Sequence, residues 1–403
     1  MVNMWDVIII GAGASGLMCA IEAGKRGRKV LLLDHAKRAG QKIIMSGGGR
    51  CNFTNLYVEP HHFLCDNPHF VKSALSRYSQ WDFIALVDKH NISWHERDHG
   101  QLFCDDSAKQ IIKMLLDEAH SAGVKVQLQC EIFSQQQLSD NHYSLQTKSG
   151  SYECQSLVVA TGGLSLPKMG ATPLAYKIAD YYQLPVKATR AGLVPFTLHQ
   201  AQKEKFADLS GISFPARASC DIKVGKKTKQ ISFTEALLFT HRGLSGPVIL
   251  QISNYWQAGE PLILDLLPKL DLFKELLFTQ QKRPELGLKT LLSQQLPKRV
   301  VECLLESAAI NSVPLKQYNE KQLQRVSELF HQWQPQINGT EGYRTAEVTL
   351  GGIDTDVISS KTMQCKSVQG LYFIGEALDV TGWLGGFNFQ FAWSSGWAAG
   401  QVV

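Results

Sequence analysis

Three short runs of apolar residues, each followed by a glycine turn, predict buried β-strands along the chain. The first run, Val7–Ile10, leads into the sequence GAGASG at Gly11–Gly16 and then into an apolar helical pattern. The other two runs, Leu157–Val159 and Leu371–Ile374, lie far apart along the chain. We therefore predict an α/β fold in which a nucleotide-binding sheet is split between the two ends of the chain.

The strand, turn and helix at the N-terminus match the pattern that binds a dinucleotide. Gly11 permits the tight turn, Gly13 lets backbone amides reach a pyrophosphate at the helix N-terminus, and Gly16 lets the helix pack closely on the strand. A second strand, Lys29–Leu33, ends in Asp34, which is placed to accept hydrogen bonds from ribose hydroxyls. The alternative is an ordinary turn between strand and helix, with Asp34 at a solvated strand end.

The segment Ser46–Asn55, SGGGRCNFTN, places three consecutive glycines before an arginine and a cysteine. Because it follows the ribose-binding acid, we expect its glycines to bring bare backbone close to a cofactor, with a mobile glycine loop as the alternative. Arg50 is placed to pair with a phosphate or a substrate anion, or to form a surface ion pair. Near the C-terminus, Gly385 and Gly386 precede a helix predicted from about residue 390 to residue 400, and its N-terminus would suit the anionic edge of a reduced flavin.

After Ala191 the sequence pattern changes to short strand-like runs and then to helical spacing, which predicts inserted domains. Short strand-like runs extend to about residue 255, and two of them form a hairpin whose tip gathers Lys223, Lys226, Lys227 and Lys229. This tip is either a solvated hairpin end or a phosphate contact. Residues 268–335 repeat apolar positions at helical spacing. The predicted domains are 1–190 and 339–403 for nucleotide binding, 191–255 for a β-rich insertion and 256–338 for a helical insertion.

The composition indicates the cellular compartment and argues against disulfides, metal sites and membrane spans. The 403 residues include nine cysteines without C-x-x-C pairs or zinc-ligand spacing, so we expect a reducing cytoplasm, no disulfide framework and no metal site. No uncharged apolar run reaches the roughly 18 residues of a membrane span, so we expect no membrane partner. The net charge of +5 permits a polyanionic partner without requiring one.

Taken together, these segments resemble a family of bacterial flavoproteins. GAGASG, SGGGRCNFTN, VVATGG, FTHRGLSGP and YFIGEALDVTGWLGGFNFQ are similar to motifs of the HI0933-like, or BaiN/RdsA-like, FAD-dependent proteins, and the resemblance covers essentially the whole chain. It implies a glutathione-reductase-type Rossmann FAD-binding domain with an inserted small β-rich, barrel-like domain and an inserted helical domain. It also implies that Glu376 and Asp379 lie near the ribityl and pyrophosphate groups, and Gly385, Gly386 and Asn388 near the flavin ring.

The resemblance implies an FAD-dependent oxidoreductase that reduces a C=C bond conjugated to a carbonyl. Members of the family are associated with dihydrouridine formation in ribosomal RNA and with reduction of unsaturated ketones, and both substrates present the same electrophile. The basic balance of the chain and the inserted lysines favour ribosomal RNA as the partner. NAD(P)H is the expected reductant, although the chain has no second glycine fingerprint for it. A flavin that is structural or acts as a sensor is the remaining alternative, and the sequence does not define the oligomeric state.

Two residues are candidates for the proton donor that such a reduction requires. Cys51 lies in the glycine segment beside Arg50, and His241 lies in the turn before an apolar helix. The alternatives are a cysteine that only fills space and ordinary turn chemistry at His241. The residues predicted to bind the cofactor are Gly11, Gly13, Ala14, Ser15, Gly16, Asp34, Lys42, Gly47, Gly48, Gly49, Arg50, Asn52, Thr161, Gly162, Gly375, Glu376, Asp379, Gly385, Gly386, Phe387 and Asn388.

Overall fold

The computed structural model describes residues 3–139, 141–225 and 227–403, so Lys226 of the predicted hairpin tip lies outside the described residues. The strands are β1 (Asn3–Ile10), β2 (Val30–Leu33), β3 (Asn52–Asn55), β4 (Phe63–Leu64), β5 (Trp94–Arg97), β6 (Gln101–Cys104), β7 (Lys125–Gln127), β8 (Ile132–Ser139), β9 (His142–Thr147), β10 (Gly150–Val159), β11 (Val186–Gly192), β12 (Phe196–Leu198), β13 (Ser213–Val224), β14 (Lys227–Phe239), β15 (Gly243–Ser245), β16 (Ile263–Asp265), β17 (Ile337–Thr340), β18 (Val348–Ile353), β19 (Leu371–Phe373) and β20 (Thr381–Gly382). The α-helices are α1 (Ala14–Lys25), α2 (Gln41–Met45), α3 (Phe70–Arg77), α4 (Gln80–Lys89), α5 (Ala108–Ser121), α6 (Leu174–Tyr181), α7 (Gln200–Lys205), α8 (Pro247–Ser253), α9 (Leu272–Lys282), α10 (Leu288–Leu292), α11 (Lys298–Ser307), α12 (Glu320–His331) and α13 (Phe387–Gly400).

The chain forms two compact units. Unit 1 comprises Met1–Ala191 and Glu347–Val403, and unit 2 comprises Gly192–Ala346. Both ends of the chain therefore fold into unit 1. The finer division of the inserted part, with a boundary near residue 255, stays a prediction.

A mixed seven-stranded sheet forms the centre of unit 1. Its strand order is β7-β2-β1-β10-β9-β8, and β19 also pairs with β10. β1 lies parallel between β2 and β10, with Ile10 level with Leu33 on one side and Val159 on the other. The strand near the C-terminus, β19, pairs in parallel with the end of β10. β2 is buried along its whole length, which explains its uninterrupted apolar sequence. The predicted α/β class is confirmed.

α1 and α13 pack against each other through small residues. A Cβ on Gly396 would lie 2.4 Å from the Ser15 carbonyl oxygen, and one on Gly400 would lie 2.6 Å from the Glu22 Cβ. Side chains at these positions would therefore push the helices apart. α13 starts at Phe387, three residues before the predicted start, directly after Gly386, whose φ of 94° is left-handed.

Unit 2 contains an antiparallel sheet and a group of helices. The order of its six strands is β16-β13-β14-β15-β12-β17, and β13 and β14 form a long hairpin from Ser213 and Leu238 to Val224 and Lys227. α8 packs on this hairpin. The predicted helical segment is divided into α9–α12, and the side chains of Asp271 and Asn319 cap α9 and α12. Within the described part of the chain, no helix has both the length and the apolar composition needed to cross a membrane.

Candidate functional site

The three glycines at the start of α1 have different roles. A Cβ on Gly11 would lie 2.4 Å from the Ala160 carbonyl oxygen, and one on Gly16 would lie 1.9 Å from the Gly11 carbonyl oxygen, so the fold itself requires both glycines. A Cβ on Gly13 would meet nothing within 4 Å, and the Gly13 φ of −85° suits any residue. Gly13 also has no side chain to cap α1. The first amides of α1 therefore border open space that fits an anionic group.

The carboxylate of Asp34 is held beside this turn. Its Oδ2 accepts a hydrogen bond from the Ala12 amide at 2.7 Å, and its Oδ1 accepts one from the Ala36 amide at 2.8 Å. Each carboxylate oxygen has a second lone pair that can accept from a hydroxyl group. The position suits the predicted ribose contact, which stays a prediction.

A polar network lies next to the first turn of α1. Lys42 Nζ donates to Ser165 Oγ at 2.7 Å and forms an ion pair with Glu376. Glu376 Oε1 accepts from Ser165 Oγ at 3.0 Å and from the Thr349 amide at 2.9 Å. A Cβ on Gly375 would lie 2.6 Å from Ser15 Oγ, so the neighbouring Glu376 is close to α1.

Lys42 and Glu376 are among the residues predicted from the sequence, whereas Ser165 and Thr349 were not predicted. Both missed residues lie close to glycine pairs, Gly162-Gly163 and Gly351-Gly352. A Cβ on Gly163 would lie 2.5 Å from Thr349 Oγ1, so the glycine permits this contact. The glycine pairs were a usable signal, because close backbone approach often brings a polar side chain with it.

Thr161 and Gly162 follow the end of β10 and provide an independent test of fit. The Thr161 hydroxyl is buried and has no hydrogen-bond partner among the described residues. Gly162 has a φ of +71°, and a Cβ there would meet nothing within 4 Å. Since buried hydroxyl groups are normally hydrogen-bonded, a polar ligand at this strand end would supply the missing partner.

The three glycines of SGGGRCNFTN are required mainly by their backbone conformation. Gly47, Gly48 and Gly49 have φ values of 58°, 65° and 88°. Only Gly47 is also sterically confined, since a Cβ there would lie 2.7 Å from the Phe103 ring. Gly48 would accommodate a Cβ without any contact within 4 Å. A cofactor contact at Gly48 and Gly49 stays a prediction, and so does the pairing of the exposed Arg50 with an anion.

The strand after these glycines, β3, holds the turn before α13. Asn55 Nδ2 donates to the Gly385 carbonyl oxygen at 2.8 Å. When the Asn52 side-chain amide is oriented so that its oxygen accepts from the Gly386 amide at 3.2 Å, its nitrogen donates to the Thr54 and Leu102 carbonyl oxygens. The two most specific sequence motifs therefore meet in unit 1, and Asn52 positions the turn.

Asn388, in the first turn of α13, is also engaged with backbone. Its Oδ1 accepts from the Gly382 amide at 2.8 Å, and its Nδ2 donates to the Gly382 carbonyl oxygen at 2.9 Å. These bonds fix the loop that leads into α13. The predicted contact of Asn388 with a flavin ring remains a prediction.

An aromatic cluster flanks the N-terminus of α13. The imidazole ring of His62 stacks on Phe387 with ring centres 4.5 Å apart and meets Trp383 edge-on at 4.8 Å. Burial and the neighbouring His61 lower the pKa of His62 to about 4. His62 is therefore neutral at pH 7 and adds no positive charge beside the N-terminus of α13. This cluster was not predicted, because its residues come from segments more than 300 positions apart in the sequence.

Cys51 lies in the interior of unit 1. Its side chain is 0% exposed, and its φ of 52° is left-handed. Burial raises the pKa of the Cys51 thiol, although a hydrogen bond with Ser46 opposes the rise. The thiol is therefore protonated at neutral pH but enclosed, which favours the packing alternative over proton donation.

His241 lies in unit 2, at an exposed position in the turn between β14 and β15. The Thr240 side chain stabilises this turn, since its Oγ1 accepts from the amides of Arg242 and Gly243 at 3.3 and 3.1 Å. Arg242 forms an ion pair with Glu341 at 3.4 Å. The turn chemistry expected around His241 is thus present, and its role as a proton donor stays a prediction.

Asp379 belongs to a different cluster from Glu376, although only two residues separate them. Its carboxylate is 3.5 Å from the Asp66 amide nitrogen. Lys187 forms ion pairs with Asp66 and Asp354, at 2.9 and 3.1 Å. Burial is the main cause that raises the pKa of Asp379 to about 6, and the charges of Asp66 and Asp354 add to it while Lys187 opposes it. The structure therefore assigns the two predicted acids to separate environments.

The predicted residues follow one line along α1 and α13. Asp34 and Gly13 lie at the start of α1, and Gly375 and Glu376 lie beside Ser15. Gly396 also touches Ser15, and α13 begins nine residues earlier, which is roughly 13 Å along the helix axis. In an extended dinucleotide the pyrophosphate and the flavin ring are similarly far apart. The first amides of α13 also have no side-chain cap, so they can bind a ligand. The residues of unit 1 therefore fit FAD.

The environment of Asp379 predicts how stability depends on pH. Because its pKa is raised above the unfolded value of about 3.9, the native state binds more protons than the unfolded state between pH 4 and 6. Ionisation of Asp379 therefore reduces the free energy of unfolding as the pH rises from 4 to 6. An asparagine side chain cannot ionise, so the Asp379→Asn variant avoids this loss. We expect its unfolding midpoint, relative to that of wild type, to be higher at pH 7 than at pH 4, measured by thermal unfolding of the apoprotein.

Lys187→Met provides the matched comparison, because it removes the cation that stabilises the Asp379 carboxylate. We expect this variant to lose more stability than wild type over the same pH range. A constant difference in unfolding midpoint between Asp379→Asn and wild type at all pH values would contradict the raised pKa.

Comparisons with known proteins agree with this architecture. The sequence profile of the HI0933-like protein Rossmann domain matches residues 5–402. The chain is 53% identical to a protein named ribosomal RNA dihydrouridine synthase from Escherichia coli (strain K12), over 98% of this chain and 97% of that protein. It is 50% identical to a protein of the same name from Haemophilus influenzae, over 98% of both chains.

Two less similar proteins also match this chain, one in sequence and one in fold. A 3-dehydro-bile acid delta(4,6)-reductase from Clostridium scindens is 24% identical over 98% of both chains. The solved structure of a 3-ketosteroid-delta4-(5alpha)-dehydrogenase from Rhodococcus jostii RHA1 superposes with a TM-score of 0.52 at 15% identity, covering 99% of this chain and 96% of that one. This chain belongs to the HI0933-like family and is an oxidoreductase with a Rossmann-type FAD-binding fold.

Proposed function

We propose that this oxidoreductase reduces uridine to dihydrouridine in ribosomal RNA and that NAD(P)H is its reductant. The observation that carries the proposal is the 53% and 50% identity, across nearly the full length, to two proteins named for that reaction. The residues along α1 and α13 that fit FAD also support the proposal, because the reaction requires a flavin. The cytoplasm, where ribosomal RNA is available, is the proposed compartment.

Unit 1 would hold the cofactor through backbone and a few side chains. The first amides of α1 would bind the pyrophosphate, Asp34 the ribose, and Glu376 with Lys42 the ribityl hydroxyl groups. The N-terminus of α13 would lie at the ring, where its dipole stabilises negative charge. FAD, once reduced by NAD(P)H, would supply the hydride for the conjugated C=C bond and return to its oxidised form.

The protein must also supply a proton to the carbon next to the carbonyl. The enclosed thiol of Cys51 has no exposed surface, whereas His241 is exposed in its turn. An exposed imidazole can exchange protons with solvent and substrate, whereas an enclosed thiol cannot. We therefore favour His241 as the donor and assign Cys51 to packing.

The second candidate substrate is a small unsaturated ketone. The 24% identity to a bile acid reductase over 98% of both chains favours it, since such a substrate contains the same conjugated C=C bond. The identity to the two proteins named for ribosomal RNA is more than twice as high. We therefore place ribosomal RNA first.

Gly13 tests the cofactor placement most cleanly, because the fold does not need it to be glycine. Val at this position would enter only the open space assigned to the pyrophosphate. We expect Gly13→Val to lose at least about nine-tenths of its bound FAD, while the free energy of unfolding of the apoprotein changes by no more than about 0.5 kcal/mol. FAD content is measured by absorbance after purification.

Gly287→Val is the matched control. Gly287 also precedes a helix, has a φ of −70°, and would accept a Cβ with its nearest contact at 3.7 Å. We expect this variant to retain FAD. Full FAD content in Gly13→Val would refute the assignment of the N-terminal glycines.

The substrate is tested by nucleoside analysis of ribosomal RNA. A strain that lacks the gene is complemented with wild type, Gly13→Val or an empty vector, and dihydrouridine is measured by mass spectrometry. We expect dihydrouridine at one or more ribosomal RNA positions only with wild type. Equal dihydrouridine in all strains, together with rapid NAD(P)H oxidation by the purified enzyme and 4-androstene-3,17-dione, would support the ketone alternative instead.

The proton donor is tested by stopped-flow measurement of flavin reoxidation. The flavin is first reduced with dithionite, so the result does not depend on the natural reductant. We expect His241→Ala to slow reoxidation by ribosomal RNA about 100-fold or more, the usual effect of losing a general acid. Cys51→Ala should reoxidise at the wild-type rate and lose about 1 kcal/mol of stability. The reverse pattern would make Cys51 the donor.

A further inference from the structure

The β13–β14 hairpin extends beyond the rest of the unit 2 sheet. β16 pairs with β13 only at Arg217–Ser219, and β15 pairs with β14 only at Leu238 and Phe239. Residues 221–224 and 227–230 therefore form a two-stranded end, and we call the segment 221–230 the basic ribbon. Four ladder pairs, from Asp221 and Gln230 to Val224 and Lys227, give it a length of about 13 Å.

The basic ribbon is exposed on both faces. Among its described side chains, only Ile222 is partly buried, and the others are exposed. Cross-strand pairing places Lys223 opposite Thr228 and Lys229 opposite Ile222. Because neighbouring ladder pairs point to opposite faces, Lys223 lies on one face while Lys227 and Lys229 lie on the other.

The charge of the basic ribbon is concentrated and unbalanced. Its sequence, DIKVGKKTKQ, has four lysines and one aspartate, so ten residues carry a net charge of +3 while the whole chain carries +5. The aspartate, Asp221, lies opposite Gln230, so none of the described lysines, Lys223, Lys227 and Lys229, faces a carboxylate across the ladder. A fold has no need to place this much charge on a strand pair that packs little of the core.

We propose that the basic ribbon binds the phosphate backbone of the RNA substrate. Lysine makes point-charge contacts with phosphate and does not read base sequence. The major groove of an RNA helix is too narrow for side chains to read, so such a ribbon contacts the backbone from outside or along a single strand. The proposal rests on the proposed function, since it assumes that the substrate is RNA.

The test is binding to ribosomal RNA transcribed in vitro, measured by filter retention over a range of salt concentrations. The variant is Lys223→Gln/Lys227→Gln/Lys229→Gln in the full chain with FAD bound. If each lysine neutralises one phosphate, the slope of log affinity against log salt falls by about 2, since single-stranded nucleic acid contributes about 0.7 for each contact. We expect affinity at low salt to fall at least 10-fold.

The matched control removes the same charge elsewhere in unit 2. Lys269, Lys282 and Lys321 are exposed and lie outside the basic ribbon, so Lys269→Gln/Lys282→Gln/Lys321→Gln has the same net charge as the variant. We expect the control to keep the wild-type slope. FAD content should be the same in all three proteins, which checks that they are folded.

Each outcome separates the two proposals. If wild type binds the transcript and the ribbon variant has the same affinity and slope, the ribbon proposal is wrong and the proposed function stands. Equal losses in variant and control would also overturn it, because net charge alone would then explain binding. If wild type does not bind the transcript but binds vesicles of anionic phospholipid, both proposals fail.

Discussion

The close contact between α1 and α13 is the constraint on which the organisation of unit 1 depends. Gly396 allows α13 to approach the Ser15 carbonyl oxygen, and Gly16 allows α1 to approach the turn at Gly11. Extra methylenes at such contacts typically cost about 1–3 kcal/mol because packed neighbours must move. The same contact fixes how far apart the two helix N-termini lie. Packing therefore determines where the two ends of an extended cofactor can bind.

The glycine segment and the turn before α13 depend on each other. Left-handed conformations at Gly47, Gly48 and Gly49 turn the chain into β3. Asn52 and Asn55 at the two ends of β3 then bind the backbone of Gly386 and Gly385. Further along α13, the indole of Trp393 donates to the Phe53 carbonyl oxygen at 2.9 Å. β3 thus connects the helix N-terminus and the helix body to one strand, which limits movement of the proposed ring site.

The sequence predicts the α/β class and the family because these rest on local patterns. A buried apolar strand followed by GAGASG specifies its own turn chemistry, and β1, α1 and β2 follow it. The start of α13 was predicted three residues late, because aromatic residues at its first turn give no clear helical period. The role of His62 depends on partners distant in sequence, so no local pattern indicates it. The glycine pairs beside Ser165 and Thr349 signal a close backbone approach but not which side chains meet there. The burial of Cys51 likewise follows from tertiary packing and not from its neighbours.

A crystal structure of the protein with FAD bound tests the central claim most directly. We expect pyrophosphate oxygens about 2.7–3.2 Å from the amides of Ala14 and Ser15, with the flavin ring at the N-terminus of α13. We also expect a hydrogen bond between the cofactor or its ordered water and the Thr161 hydroxyl, which lacks a partner within the described chain. A pyrophosphate bound away from α1, or a ring far from Phe387, would contradict the account.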